Sequence, residues 1–182
     1  MNDSEIFKNK RNVYVKLHKN IHTETSILHF ITINTEKRRP ILIDNITILR
    51  QAFTNSKQYF DYSIDAICVL PDHLHMIIYP KHEKDYPNII KSIKTYFSKN
   101  INQTFNISQS QTKKKELGIW QRRYYEHTII NEKELEKYRN YIHYNPVKHH
   151  LTSNANEWGY SSFSKFVSRG YYDIDWYDLD LV

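Results

Sequence analysis

Apolar positions along this chain fall into runs whose spacing switches between the two-residue period of strands and the 3.6-residue period of helices. Residues 27–33, with Ile27, Leu28, Phe30, Ile31 and Ile33, are apolar on both faces and predict an interior strand. Asp44 can cap a helix whose Ile46, Leu49 and Phe53 recur at i, i+3 and i+7, ending near Ser56. Residues 62–70 and 73–79 read as two strands of a hairpin interrupted at Pro71-Asp72, with Ile64, Ala66, Cys68 and Leu70 on one face of the first. A second helix opens near Pro87, with Ile90, Ile93, Phe97 and Ile101 on one stripe and Lys91, Lys94 and Lys99 off it.

Residues 106–118 are polar, carry Lys113, Lys114 and Lys115, and read as a mobile linker. Residues 120–130 follow as a strand rich in Tyr, Thr and Ile. Asn131 and Glu134 have the offset of a capping box. The helix they open is expected to stop at Asn145-Pro146, since the residue before proline avoids the α region. The order β, α, β, β, α, β and a further helix predicts an α+β, ferredoxin-like sheet with an added C-terminal helix.

Two side chains give that pattern a chemistry. His73 and His75 sit one residue apart on an extended run, so both imidazoles leave the same side of the sheet while Leu74, Met76 and Ile78 enter the core. On the last helix Leu135, Tyr138 and Ile142 form the apolar stripe, and Glu134, Lys137, Tyr141 and Asn145 the neighbouring polar one. Tyr141 and Asn145, one turn apart, can address a single point in front of the helix. If that point is a metal on His73 and His75, Asn145 adds an oxygen ligand and Tyr141 a nucleophile. Two neutral imidazoles and one amide leave a divalent ion several open positions. These suit the phosphate oxygens and water of Mg²⁺ or Mn²⁺ chemistry better than a closed zinc site. Taken singly, each feature has a plainer reading: two packed histidines, or a chance pair among 15 tyrosines.

Composition narrows the setting. A length of 182 residues fits one domain spanning 1–182, with a basic arm at 1–26 and a tail at 147–182. The formal charge of +6 suits a polyanionic partner. Cys68 is the one cysteine, which excludes an intrachain disulfide and a thiolate zinc cage. No apolar run approaches the roughly 18 residues of a membrane span, and the polar N-terminus lacks a signal-peptide core. No membrane partner and a cytoplasmic location are therefore expected. Asp173, Asp175, Asp178 and Asp180 read as a solvated acidic end or as a segment that mimics DNA over the basic groove, and His149-His150 as a solvated helix end.

Several stretches then occur in a telling order. Leu70-Pro71-Asp72-His73-Leu74-His75 comes first, then Ile119-Trp120-Gln121-Arg122-Arg123-Tyr124-Tyr125-Glu126-His127. Tyr141-Ile142-His143-Tyr144-Asn145-Pro146-Val147-Lys148 and Trp158-Gly159-Tyr160-Ser161-Ser162 follow. So arranged, over roughly residues 60–176, the chain resembles the REP-associated tyrosine transposases, a branch of the single-tyrosine HUH transposases. The resemblance implies a ferredoxin-like fold and a metal-dependent nuclease and strand transferase acting on single-stranded DNA at hairpins. Its residues would be His73 and His75 as metal ligands, Asn145 completing the site, and Tyr141 as the nucleophile that becomes joined to a 5′-phosphate. Arg11 is the candidate for a guanine contact, and Lys91, Lys94, Arg122 and Arg123 for phosphate contacts. His127 is either a supporting group or base at the site, or a core-edge histidine. The assembly is expected to be a monomer or a homodimer. Two other classes stay open: a non-catalytic module that binds structured nucleic acid, and a metal phosphodiesterase that uses water.

Overall fold

The structure, a computed structural model, describes residues 27–176. Arg11 with the rest of the N-terminal arm, and Asp178 and Asp180, lie outside the described residues. Four strands, β1 (Leu28–Asn34), β2 (Tyr62–Val69), β3 (His73–Pro80) and β4 (Tyr125–Ile129), form one sheet in the order β2-β3-β1-β4. Every neighbouring pair is antiparallel. Helices α1 (Ile46–Ser56) and α2 (Tyr86–Asn100) make the two crossovers, so the topology is the split βαβ arrangement of ferredoxin-like folds. Three further helices are α3 (Gln109–Lys113), α4 (Glu132–Lys148) and α5 (Phe163–Val167). None of the described helices is long and apolar enough to cross a membrane.

Alternation divides the core between the two faces of the sheet. Ile31, Ile33, Leu74, Met76 and Ile78 meet Leu49 and Ala52 of α1 and Ile90, Ile93 and Phe97 of α2. On the other face Phe30, Ala66, Cys68 and Ile77 meet Leu135 and Ile142 of α4 and Phe163 and Phe166 of α5. His73 and His75 fall on this second side by the same alternation and are each 3% exposed, buried beneath α4.

Several local expectations need correction. Ile64 does not share a face with Ala66, Cys68 and Leu70: the register slips by one residue between Ile64 and Ala66, and Ile64 packs with the first core. This bulge turns Asp65 towards α4. Asn45, not Asp44, holds the N-cap position of the first helix, and its side chain makes no capping hydrogen bond. The linker contains α3, closed by a Ser108–Gln111 capping box, and the last strand is only Tyr125–Ile129, with Trp120 held to Thr35 by an isolated bridge. Finally, α4 runs through Pro146 to Lys148. The proline bias is local, and burial of Tyr144, Asn145 and Pro146 outweighs it. Asn131 caps the helix as expected, but the Glu134 carboxylate accepts from the Ile130 amide, so the box is half made.

The tail closes the second face. The backbone of Tyr160 and Ser162 bonds Val69 and Ile67, which covers the free edge of β2, and the Trp158 indole donates to the Val69 carbonyl. His143, fully buried on α4, lies 2.8 Å from the Ser162 hydroxyl and 3.2 Å from that of Tyr172. Burial, and then the charge of Arg139, push this imidazole down to about 3. Its folded value lies below the ordinary histidine value, so the unfolded chain takes up a proton that the fold refuses. Stability should therefore fall as pH drops from about 6.5 towards 3, approaching about 1.4 kcal/mol per pH unit from this one group. Urea unfolding at about pH 7 and about pH 5 reads that slope, and His143→Gln should remove part of it.

Candidate active site

The hairpin turn sets the histidine pair. The Leu70 amide closes the turn on the His73 carbonyl at 2.8 Å, and the Pro71 and Asp72 carbonyls accept from the Leu42 and Thr35 amides. β3 therefore leaves a clamped turn, and His73 and His75 emerge side by side with ring centres 4.8 Å apart. Asp72 Oδ1 lies 2.6 Å from His73 Nδ1, and Thr32 Oγ1 on β1 lies 2.8 Å from His75 Nδ1. Each ring is thus engaged through Nδ1.

Burial disfavours the imidazolium in both. Desolvation comes first for His73, and its net effect is a lowered pKa despite the Asp72 carboxylate. For His75, burial and then the neighbouring His73 and His149 push it down to about 3. Both are neutral near pH 7, with lone pairs free for a metal or a proton donor.

α4 supplies the other half. Tyr141 meets the His75 ring edge-on at 5.1 Å between centres, and Phe30 at 5.9 Å. Asn145, one turn later, is fully buried against His75, and its Nδ2 donates to the Tyr141 carbonyl at 2.9 Å. That leaves Asn145 Oδ1 facing the His75 ring. Of the four buried side-chain atoms without a partner among the described residues, two are His75 Nε2 and Asn145 Oδ1. With the His75 hydrogen on Nδ1, donated to Thr32, Nε2 and Asn145 Oδ1 are two acceptors in one place, which a cation would reconcile. No three His, Cys, Asp or Glu side chains converge among the described residues, so a third protein ligand has to be of another type. An amide oxygen meets that requirement for a hard divalent ion.

These groups open onto a cleft of about 560 Å³ lined by Phe30, Arg38, Tyr125, Lys137, Tyr138 and Tyr141, among others. One wall is aromatic: Phe30 stacks on Tyr138 at 4.4 Å and meets Tyr125 edge-on at 6.0 Å, with Tyr125 55% exposed. The other rim is basic, with the Lys148 ammonium 5.2 Å over the Tyr141 ring and His149 5.2 Å from His73. His149 is an exposed helix end, as expected, and it also reaches the cleft because α4 continues past Pro146. Arg38 and Asp72 were missed; their only trace is a charge cluster and a neighbour of His73 in the chain.

The family described as IS200-like transposases matches residues 22–145. A protein assigned as a REP-associated tyrosine transposase in Haemophilus influenzae is 36% identical over 152 residues, 82% of this chain and 86% of its own length. The chain belongs to the REP-associated tyrosine transposases. The Escherichia coli REP-associated tyrosine transposase is 33% identical over 149 residues, covering 81% of this chain and 82% of that one. A solved REP-associated tyrosine transposase bound to a REP hairpin superposes with a TM-score of 0.70 at 30% identity, over 86% of this chain and 90% of the other.

Not every residue singled out in the sequence of this transposase lies at the cleft. Lys91, Lys94 and Arg122 line a separate groove with Lys99, Lys114 and Lys115, on the side of the sheet that carries α1 and α2. There the Lys94 ammonium donates to the Gln121 carbonyl at 2.7 Å, and Arg122 pairs with Glu116 at 2.7 Å. Lys91 and Arg123 are exposed. His127, on β4, lies 3.2 Å from Glu134 and packs 5.1 Å from Tyr138, so it adjoins the aromatic wall.

Proposed function

We propose that this transposase cuts and rejoins single-stranded DNA at hairpins, with Tyr141 as nucleophile and a divalent metal, Mg²⁺ or Mn²⁺, held by His73, His75 and Asn145. The observation that carries the proposal is the meeting of two buried polar atoms, His75 Nε2 from β3 and Asn145 Oδ1 from α4, beside Tyr141. The hairpin-bound relative supports the same class of ligand here. When bound, the metal would act as a Lewis acid on the scissile phosphate.

The protein's own part is positioning and charge. As the Tyr141 oxygen attacks phosphorus, its phenolic proton is lost, the bond to the 3′-oxygen breaks, and that oxygen leaves as a 3′-OH. Tyr141 then holds the 5′-phosphate in an ester of similar energy to the phosphodiester. A second 3′-OH can reverse the step without ATP, as transposition or repeat processing requires. Lys148 and Lys137 bring positive charge to the rim where the phosphates would lie. The aromatic wall suits unpaired bases, which stack on such surfaces whatever their sequence. Exposed Lys91, Arg122 and Arg123 are candidates for phosphate contacts away from the cleft, Arg11 for a contact from the arm.

The test is incubation with a hairpin oligonucleotide bearing a single-stranded flank, with Mg²⁺ or Mn²⁺ and with a chelator. A covalent protein–DNA adduct that forms only with metal, and maps by mass spectrometry to the peptide containing Tyr141, is the expected result. Cleavage without an adduct would favour a phosphodiesterase that uses water. Binding without cleavage would favour a non-catalytic module. Tyr125→Ala should weaken binding of the flank by about 1–3 kcal/mol, roughly tenfold or more, and Tyr125→Phe should not, as fluorescence anisotropy would read.

A further inference from the structure

Two adjacent residues without glycine's freedom, Lys37 and Arg38, adopt left-handed backbone conformations with φ of 55° and 54°. They lie in a 3-10 turn, Glu36–Arg38, directly after β1. Such conformations persist only where the surroundings impose them, and they concentrate at functional sites. Here the turn points the Arg38 side chain into the cleft, beside His73.

The guanidinium is spread over three neighbours. Its Nε lies 2.6 Å from Asp72 Oδ2, its Nη1 donates to Asn34 Oδ1 at 2.5 Å, and its Nη2 is 3.1 Å from His73 Nδ1. The other oxygen of Asp72 is 2.6 Å from that same His73 nitrogen. A carboxylate only accepts, so the hydrogen on the short Asp72–His73 contact belongs to the ring. His73 Nδ1–H then donates to Asp72, and Arg38 cannot donate to the same atom. Its role at that point is to fix the carboxylate that fixes the ring. The consequence lies across the imidazole: with Nδ1 protonated, Nε2 keeps its lone pair.

We infer that Arg38 is a positioning residue for His73, acting through Asp72 to hold the ring in the tautomer and orientation that present Nε2 to a metal. The inference rests on the reading of His73 as a ligand. Carboxylates behind metal-bound histidines orient the ring in this way. Arg38 extends the chain by one member, and its left-handed backbone places a planar fork where two side chains of β1 and the hairpin turn can both be reached. A lysine offers one point charge and no fork, so it cannot span Asp72 and Asn34 together. The alternative for an arginine in this cleft is a direct phosphate contact.

The two roles separate in experiment. Nitrogen-15 NMR of the metal-free protein reads the His73 tautomer, and Mn²⁺ titration followed by electron paramagnetic resonance reads the metal site without any turnover. Wild type should show His73 protonated at Nδ1. Arg38→Ala should give a mixture of tautomers and weaken Mn²⁺ binding by about tenfold, within the range for groups behind a ligand. Arg38→Lys should stay impaired in both readouts, and serves if the alanine variant folds poorly. Arg38→Ala combined with Asp72→Asn should be no weaker for Mn²⁺ than Asp72→Asn alone, because the two act in series. An Arg38→Ala protein with an unchanged tautomer, or with Mn²⁺ affinity within about twofold of wild type, overturns the inference; loss of hairpin affinity alone would make Arg38 a phosphate contact. If wild type binds no Mn²⁺, the metal reading fails, and the NMR comparison still decides whether Arg38 orders the ring.

Discussion

Tyr141→Phe should leave the hairpin bound and uncut, with single-turnover cleavage reduced by about a thousandfold or more, as expected when a covalent nucleophile is removed. The substitution takes away one oxygen and keeps the ring that packs against Phe30 and His75. Folding and DNA affinity should therefore survive, and anisotropy alongside denaturing electrophoresis separates binding from chemistry. Tyr138 is the competitor, since it lines the same cleft three positions earlier. Burial, and then the neighbouring Tyr125, push its phenol up to about 12, which disfavours its phenolate. An adduct that persists in Tyr141→Phe and disappears in Tyr138→Phe would reverse the assignment.

Arg139→Ala is expected to be the most damaging single change to stability. Arg139 is fully buried on α4, and its Nε and Nη2 both donate to Asp65, whose side chain is only 9% exposed. Forming a buried pair contributes little beyond its desolvation, but removing one member leaves the other charge stranded at a cost of about 3–5 kcal/mol. Against a total of about 5–15 kcal/mol, that is enough to unfold a marginal domain near 37 °C. Replacing both residues by leucine should recover most of the loss in a urea titration. Failure of the double variant to recover would place the damage in lost packing against Phe166 and Tyr171, over which the guanidinium also lies.

How far the site can be read before folding depends on whether its parts lie within one element. His73 and His75 share a strand, and Tyr141 and Asn145 a helix, so simple periodicities place each pair, and the alternation of Leu74, Met76 and Ile78 into the opposite core follows the same rule. Arg38 is different. Its place beside His73 depends on a left-handed turn in a Lys-Arg-Arg stretch, with no glycine to announce it, and on β1 pairing with β3 so that Asn34 faces His73. The slip in β2 is equally silent, because Ile64, Ala66, Cys68 and Leu70 keep an unbroken apolar alternation while both faces of the strand are buried. His149 was hidden by Pro146, where a local bias against helix yields to burial of the last turn.

The slip at Asp65 has a consequence for how the two layers of the protein can vary. Without residue 65, Ile64 and Ala66 would alternate normally and β2 would still pair with β3 in the register it has now. The extra residue is therefore redundant for the sheet. It serves the helix, by giving Arg139 its carboxylate partner. Shortening β2 by this single residue and replacing Arg139 by an apolar side chain are thus one change written in two places: either alone strands a group, and together they describe a regular strand under an apolar helix. In the chain as it stands, insertion and arginine are kept by each other.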